Sequence, residues 1–453
     1  MIKALCDVYK RSLLILFVLF ISLSTQAQSL TIKAKPNAFV SNAGVGKTFV
    51  EPHLVSNPRN HQQLVAVSMV ERTTANNAHS STLAIFTSSD GGQSWQRQSI
   101  PCDDCSDPWL TMTPQGMLYL TALGFPPNAR NRKGLPILVF TSTNGGLTWS
   151  KTPQYIAGNY DGPKTIAAPN GGVYLLTGSA ARDHQNKSRY GLMLGYAKPT
   201  SSTFRLINHI FPSNLNLNAD GLALLSDGAL VITYQDYQRK TEKGFRGRKG
   251  RLKTRRSWAM VSQDKGQTFS VPLLLSEDCG ARPSAMLVDR SNSLNKDQLY
   301  CPCLSKDLKK IFLFHSSTKA SLGQAEVWDK TQVKLEHLKG LPYSQPLVAV
   351  NSAGIIGLTW WQRQVSTNNK CFILYFTASI DGGKTFASPA KITQQLVCPN
   401  YSALGFPGRR WRTGGDYFGF TTTKDGQFQL FWPKANQGTF ELWSTGVVVE
   451  KSR

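Results

Sequence analysis

Seven polar residues recur along the chain at intervals of about 60 residues, each just ahead of an apolar stretch: Glu51, Asp107, Asp161, Asp220, Arg282, Gln345 and Asp416. Five of them are carboxylates. Brought together, carboxylates repel, so a site built from them must raise their pKa values, bind a cation such as Ca2+, or pair them with Arg282 and nearby bases. A protonated carboxyl beside an ionised one is also the equipment of glycoside hydrolysis, one group donating to the leaving oxygen while the other attacks or activates water. Asp107, Asp161, Asp220, Asp416 and Tyr417 are therefore candidate catalytic residues. Glu51, His53, Trp109, Arg282, Gln345 and Arg412 are candidate substrate-binding residues, with Trp360 and Trp361 as further aromatic faces for a sugar ring. No cofactor is expected apart from calcium at the carboxylates. Turn chemistry offers a plainer account of the same residues, because Asp at the start of a strand accepts hydrogen bonds from backbone amides just ahead of it.

Whether these residues meet depends on the elements that carry them. An apolar strand, a polar or Gly-containing turn and a second apolar strand recur at 54–69, 110–123, 165–177, 222–234, 285–300, 347–361 and 418–432. Pro52, Pro108, Pro163, Pro283 and Pro346 stand close behind the polar residues. Proline donates nothing to a strand ladder, which suits a chain entering an inner strand. Seven such units predict an all-β protein, a single β-propeller of four-stranded antiparallel blades whose first strands line a central channel. The last unit lacks a fourth strand, and the N-terminal stretch 30–35 is the expected replacement, closing the ring without a free sheet edge.

Four further stretches match one another: SSDGGQSW at 88–95, STNGGLTW at 142–149, SQDKGQTF at 262–269 and SIDGGKTF at 379–386, each following an apolar run. In such a turn the Asp or Asn accepts from backbone amides ahead of it and Gly supplies a positive φ. These stretches resemble the Asp-box of the sialidase (BNR-repeat) superfamily, with decayed copies near 200–204 and 315–318. The resemblance implies a propeller with structural boxes at the blade periphery, and six blades where the repeat count favours seven. It also implies a Tyr nucleophile assisted by Glu, an Asp acid/base and three arginines gripping a carboxylate. Arg409, Arg410 and Arg412 precede Asp416 and Tyr417, but no Arg-Ile-Pro motif follows the N-terminal segment, so the sialidase site does not carry over residue by residue. The expected function is glycan binding at the mouth of the channel without the full sialidase site. The alternative is an exo-acting, sialidase-type glycoside hydrolase using the rim carboxylates, arginines and Tyr417.

Lys3, Lys10 and Arg11 precede an apolar run at 13–23, and Thr25, Gln26 and Ala27 form a small-residue cleavage site, so residues 1–27 read as a cleaved export signal. The run falls short of the roughly 20 residues needed to span a bilayer. Residues 28–453 are then one secreted or periplasmic domain, expected to act as a monomer. Of eight cysteines, Cys6 lies in the signal and seven remain, which predicts disulfides and one odd thiol. Cys102 and Cys105 are expected to staple a loop, since no second pair at zinc spacing accompanies them. The net charge is +24, with a dense basic insertion at 238–256 where ten Lys and Arg face Glu242 alone. That segment reads as a solvated loop or as a contact for acidic polysaccharide or another cell-surface polyanion. No nucleic-acid module stands beside it, so nucleic acid is not an expected partner.

Overall fold

The computed structural model describes residues 30–44, 46–73, 79–102, 104–125, 134–182, 188–239, 252–279, 286–316, 328–335, 340–344, 346–366, 369–400, 410–436 and 438–451. The named elements among these residues are β-strands, gathered into seven antiparallel sheets. In the first four blades the chain meanders from the centre outward. Blade 1 runs Lys47–Ser56, Leu64–Thr73, His79–Ser88, Gln96–Gln98, and blade 2 Asp104–Met112, Leu118–Phe125, Ile137–Ser142, Gln154–Ile156. Blade 3 follows as Tyr160–Ala167, Val173–Arg182, Ser188–Ala197, Phe204–Ile210, and blade 4 as Asn216–Leu224, Leu230–Arg239, Leu252–Ser262, Leu273–Ser276.

Blade 5 begins with the short strand Leu287–Val288 and continues through Leu299–Leu304, Ile311–Ser316 and Trp328–Val333. In blade 6 the inner position is split between Leu341–Pro342 and Leu347–Val350, both paired with Ile356–Ser366. Blade 7 holds Gly419–Thr422, Phe428–Asn436 and Thr439–Lys451. Each inner strand touches that of the next blade, and Gly419–Thr422 touches Lys47–Ser56, so the ring closes with seven blades and not six.

The closing strand comes from the other end of the chain. Leu30–Ala34 pairs antiparallel with Thr439–Lys451, Leu30 opposite Lys451 and Ala34 opposite Val447. A second piece, Ala38–Ser41, pairs with the same strand and gives this sheet a fifth member that the repeat pattern does not announce. The fully closed ring leaves only short outer strands as edges, which limits edge-to-edge pairing.

Both faces of every blade are covered by neighbours, so the core is a series of apolar layers between blades. Trp360 lies with Tyr300 and Leu313 of blade 5, whereas its neighbour Trp361 lies with Phe418, Phe428 and Trp432 of blade 7. Successive strand residues point to opposite faces, which sends the two indoles to different layers. Trp360, Trp361 and Trp432 are all fully buried.

The four repeated turns join the third and fourth strands of blades 1, 2, 4 and 6. In blade 4 the Asp264 carboxylate accepts from the Thr268 amide at 2.8 Å and its hydroxyl at 2.5 Å, while the Ser262 hydroxyl donates to it at 2.8 Å. These donors hold the Asp264 carboxyl down at about 2. In blade 2 the indole of Trp149 folds back to donate to the Gly146 carbonyl at 3.0 Å. The region of 200–204 likewise lies between the third and fourth strands of blade 3, and 317–318 fall outside the described residues. Cysteine pairings are Cys102–Cys105, Cys279–Cys303 and Cys371–Cys398, and the odd thiol is the buried Cys301.

Candidate functional site

The inner strands of blades 1 to 4 each carry a bulge at the start. Register slips between Val50 and His53, Ser106 and Trp109, Asp161 and Lys164, and Ala219 and Gly221. A bulge removes residues from the ladder and re-aims their side chains. Proline suits it because it has no amide hydrogen to leave unpaired. Glu51 and Asp107, each just ahead of a proline, adopt left-handed backbone with φ of 52° and 49°. That conformation costs a non-glycine residue on the order of 1–3 kcal/mol, and such strain concentrates at functional sites. In blade 3 the equivalent residue ahead of Pro163 is Gly162, φ 59°. Asp161, which the spacing aligns with Glu51 and Asp107, is instead a ladder residue paired with Gly178 and exposed.

These strand starts share one cavity of about 610 Å³ in the central channel, lined by Glu51, Asp107, Asp161, Asp220 and Asp416 together with His53, Trp109 and Tyr417. Blades 7 and 1 are tied here by Glu51, whose amide donates to the Gly414 carbonyl at 2.8 Å and whose Oε1 accepts from the Asp416 amide at 3.3 Å. Gly415 must lack a side chain, because a Cβ there would lie 2.7 Å from the Glu51 nitrogen. The Tyr417 hydroxyl donates to the Pro108 carbonyl at 3.3 Å, joining blade 7 to blade 2. His53 Nδ1 accepts from the Leu110 amide at 3.3 Å, and the Trp109 indole donates to the Thr165 carbonyl at 3.2 Å. The rings of His53 and Trp109 lie 3.9 Å apart and those of Trp109 and Tyr417 6.1 Å apart, forming an aromatic wall.

The electrostatics are uneven. Burial pushes the Glu51 carboxyl well above the usual range, the charges of Asp107 and Asp416 push it further, and Arg410 opposes them. Glu51 is 2% exposed, and its Oε2 has no hydrogen-bond partner among the described residues. Burial, together with the positive charge of Lys164, lowers His53 to about 3, so its ring is neutral. The Lys164 ammonium donates to the Ala219 carbonyl at 2.9 Å and lies 5.5 Å from the centre of the Trp109 ring.

Four charged residues of this region lie outside the spacing argument. Lys164, Arg290 and Arg410 line the cavity, and burial raises the nearby Glu71 carboxyl to about 7 against the charge of Arg410. Glu71 was legible in principle. It sits on the same strand face as Val65, Val67 and Met69, which are core residues, and a carboxylate on an apolar face is an anomaly. Arg290 projects at the far end of the channel and donates to the Leu224 carbonyl at 3.1 Å.

Other expected site residues fall elsewhere. Arg412 does not line the cavity, a place taken by Arg410 two residues earlier. Trp360 and Trp361 are committed to the layers between blades and offer no face to the channel. Arg282 and Gln345 lie outside the described residues, as does most of the basic insertion at 238–256. Among the described residues no three His, Cys, Asp or Glu side chains come together as metal ligands. No helix among the described residues is long and apolar enough to cross a membrane.

A closed ring of seven antiparallel sheets makes the protein, in fold, a seven-bladed β-propeller. Among solved structures it is similar to the α-L-arabinofuranosidase Arb93A of Fusarium graminearum, at 12% identity and a TM-score of 0.50 over 92% of this chain and 98% of that one. It is also similar to a protein of unknown function from Dyadobacter fermentans, at 13% identity and a TM-score of 0.49 over 92% and 99%. The sialidase of Trypanosoma rangeli matches at 13% identity and a TM-score of 0.45 over 90% of this chain and 59% of its own. No family model matches the chain, and no curated protein matches it in sequence.

Proposed function

We propose that the mouth of the channel binds a saccharide. The supporting observation is the cavity of about 610 Å³ in which the rings of Trp109 and Tyr417 stand among carboxylates. Aromatic faces pack against the C–H faces of a sugar while carboxylates accept its hydroxyls, and a cavity of this size suits one or two sugar residues. A glycan array tests the reading. Trp109→Ala is expected to weaken binding at least about tenfold and Trp109→Phe, which keeps a ring, by about threefold or less. Absence of binding to any saccharide, or full affinity in Trp109→Ala, would sink it.

One observation favours a second reading, glycoside hydrolysis. Glu51, whose carboxyl burial and the charges of Asp107 and Asp416 push well above the usual range, supplies the acid of an acid–carboxylate pair. In a screen of chromogenic glycosides, sialosides included, hydrolysis predicts that Asp107→Asn loses turnover by on the order of a hundredfold or more while still binding. Binding without turnover in the native protein removes this reading and leaves the first intact.

We read the four repeated turns, three with Asp and one with Asn144, as Asp boxes with a structural role, and residues 1–27 as an export signal. The three disulfides fit an oxidising compartment outside the cytoplasm. Within the basic insertion at 238–256, Arg239 and Leu252, which flank 240–251, lie at the same end of blade 4 as Asn216, where its inner strand begins, so an acidic glycan or other surface polyanion drawn to the insertion would be held beside the mouth.

A further inference from the structure

We propose that the far end of the channel holds a second site, separate from the mouth, which takes a tetrahedral oxyanion: a phosphate or sulfate group, free or carried on a sugar. The inference does not depend on what the mouth binds.

Its centre is Arg290, an exposed side chain that lines the cavity. The protein around it nonetheless desolvates the guanidinium, which lowers its pKa by more than the charge of Asp297 restores. One N–H donates to the Leu224 carbonyl at 3.1 Å, and among the described residues the group forms no ion pair. A guanidinium carries five N–H donors, so most of the fork is left for a ligand. An enclosed cation without a counter-ion is costly, and a bound anion removes that cost.

The neighbouring carboxylates are engaged by their own loops. Asp297 accepts from the Ser226 amide at 2.8 Å and from the Ser226 hydroxyl. Asp289 accepts from the Ser291 amide at 2.7 Å and from the Ser293 hydroxyl at 3.0 Å.

Two hydroxyls come to the same end of the channel. Ser291 is buried in the cavity wall, and its Oγ accepts from the Ser293 amide at 3.1 Å, which leaves the hydroxyl proton to be donated. The turn 351–355 of blade 6 packs on this loop, since a Cβ on Gly354 would lie 3.0 Å from Ser291 Oγ. That turn carries Ser352, an exposed lining residue whose hydroxyl makes no hydrogen bond to the described residues. A guanidinium fork with hydroxyls from two adjacent blades offers donors in several directions, which suits a tetrahedral anion better than a planar one.

The site stands apart from the mouth. Asp220 at the mouth and Leu224 beside Arg290 belong to one inner strand, and at roughly 3.3 Å per residue they are about 13 Å apart.

Isothermal titration of the full chain with sodium phosphate, against sodium chloride and sodium acetate at equal ionic strength, tests this. Phosphate is expected to bind saturably with a Kd of about 1 mM or tighter, and chloride and acetate at least about tenfold more weakly. Arg290→Gln should weaken phosphate at least about tenfold and Ser352→Ala about threefold, while Lys384→Gln, which removes an exposed cation of blade 6, changes nothing. Without phosphate, Arg290→Gln should unfold no earlier than the native chain, because the substitution removes a cation and no ion pair. Glucose 6-phosphate separates the two sources: tenfold tighter binding than inorganic phosphate assigns a sugar-borne group, and equal or weaker binding assigns the free ion. A second measurement uses the unmutated chain. Phenylglyoxal should modify Arg290, and phosphate should protect it while leaving the exposed Arg59 as reactive as before, read by peptide mass mapping. An equal response to chloride or acetate, undiminished phosphate binding in Arg290→Gln, or an Arg290 that phosphate does not protect overturns the inference and leaves the saccharide reading untouched.

Discussion

A chain lacking residues 30–41 is expected to lose its cooperative unfolding transition, or to unfold at least 15 °C below the intact protein, and to aggregate. The deletion removes both N-terminal strands from blade 7 and bares Thr439–Lys451 as a sheet edge thirteen residues long. Lost with them are the bond from the Lys35 amide to the Gly446 carbonyl at 2.8 Å and that from the Thr445 hydroxyl to the Lys35 carbonyl at 2.8 Å. The Asn37 amide also donates to the Ile392 carbonyl of blade 6 at 3.1 Å, and Phe39 meets the ring of Trp443 edge-on at 5.6 Å. At about 0.5–1.5 kcal/mol net per hydrogen bond, plus the apolar area of Ile32 and Leu30, the loss is on the order of 5 kcal/mol or more. That is comparable with the whole stability of an ordinary domain. Supplying the missing segment as a peptide should restore part of the transition, because a ring closed by pairing needs the strand and not its covalent link. Scanning calorimetry with and without the peptide reads the result. An unchanged transition in the shortened chain would mean that the ring does not depend on this closure.

This closure was legible in the sequence for a simple physical reason. Propeller blades are repeats, and a repeat that lacks its last strand announces the deficit. The inner strands were legible too, since apolar stretches such as 222–234 have no other reading in so turn-rich a chain. What could not be read was the fine register. The spacing puts Asp161 on a par with Glu51 and Asp107, but the bulges align Gly162 with them and leave Asp161 in the ladder. A one-residue offset reverses the direction of a side chain, and nothing in a linear pattern measures it. Trp360 and Trp361 misled for a related reason. An aromatic pair near a strand start suggests a sugar platform, yet a strand sandwiched between two blades buries both of its faces.

Glu51→Gln is expected to raise stability at pH 8 and to leave it nearly unchanged at pH 4, while abolishing any chemistry that needs a proton from this position. Glutamine keeps the shape and the acceptor that receives the Asp416 amide, so the link between blades 7 and 1 survives. What it removes is ionisation. Burial and the charges of Asp107 and Asp416 raise the Glu51 carboxyl above its value in the unfolded chain. A raised carboxyl favours the folded state fully below the unfolded pKa, near 4.5, and that advantage is lost as pH rises through the folded value. The native protein therefore weakens with rising pH at this residue, and the Gln variant does not. Glu71, raised to about 7, acts in the same direction between pH 4.5 and 7, and Glu71→Gln should gain on the order of 1–2 kcal/mol at pH 8 once screening is allowed for. The two gains should not add, because both carboxyls feel the charges of Asp107 and Arg410. Denaturant unfolding of the native protein and the two single variants at pH 4, 6 and 8 checks the sign. Parallel curves at all three values would show that Glu51 ionises as freely in the folded protein as in the unfolded chain, and a proton held ready at the channel mouth would go with it.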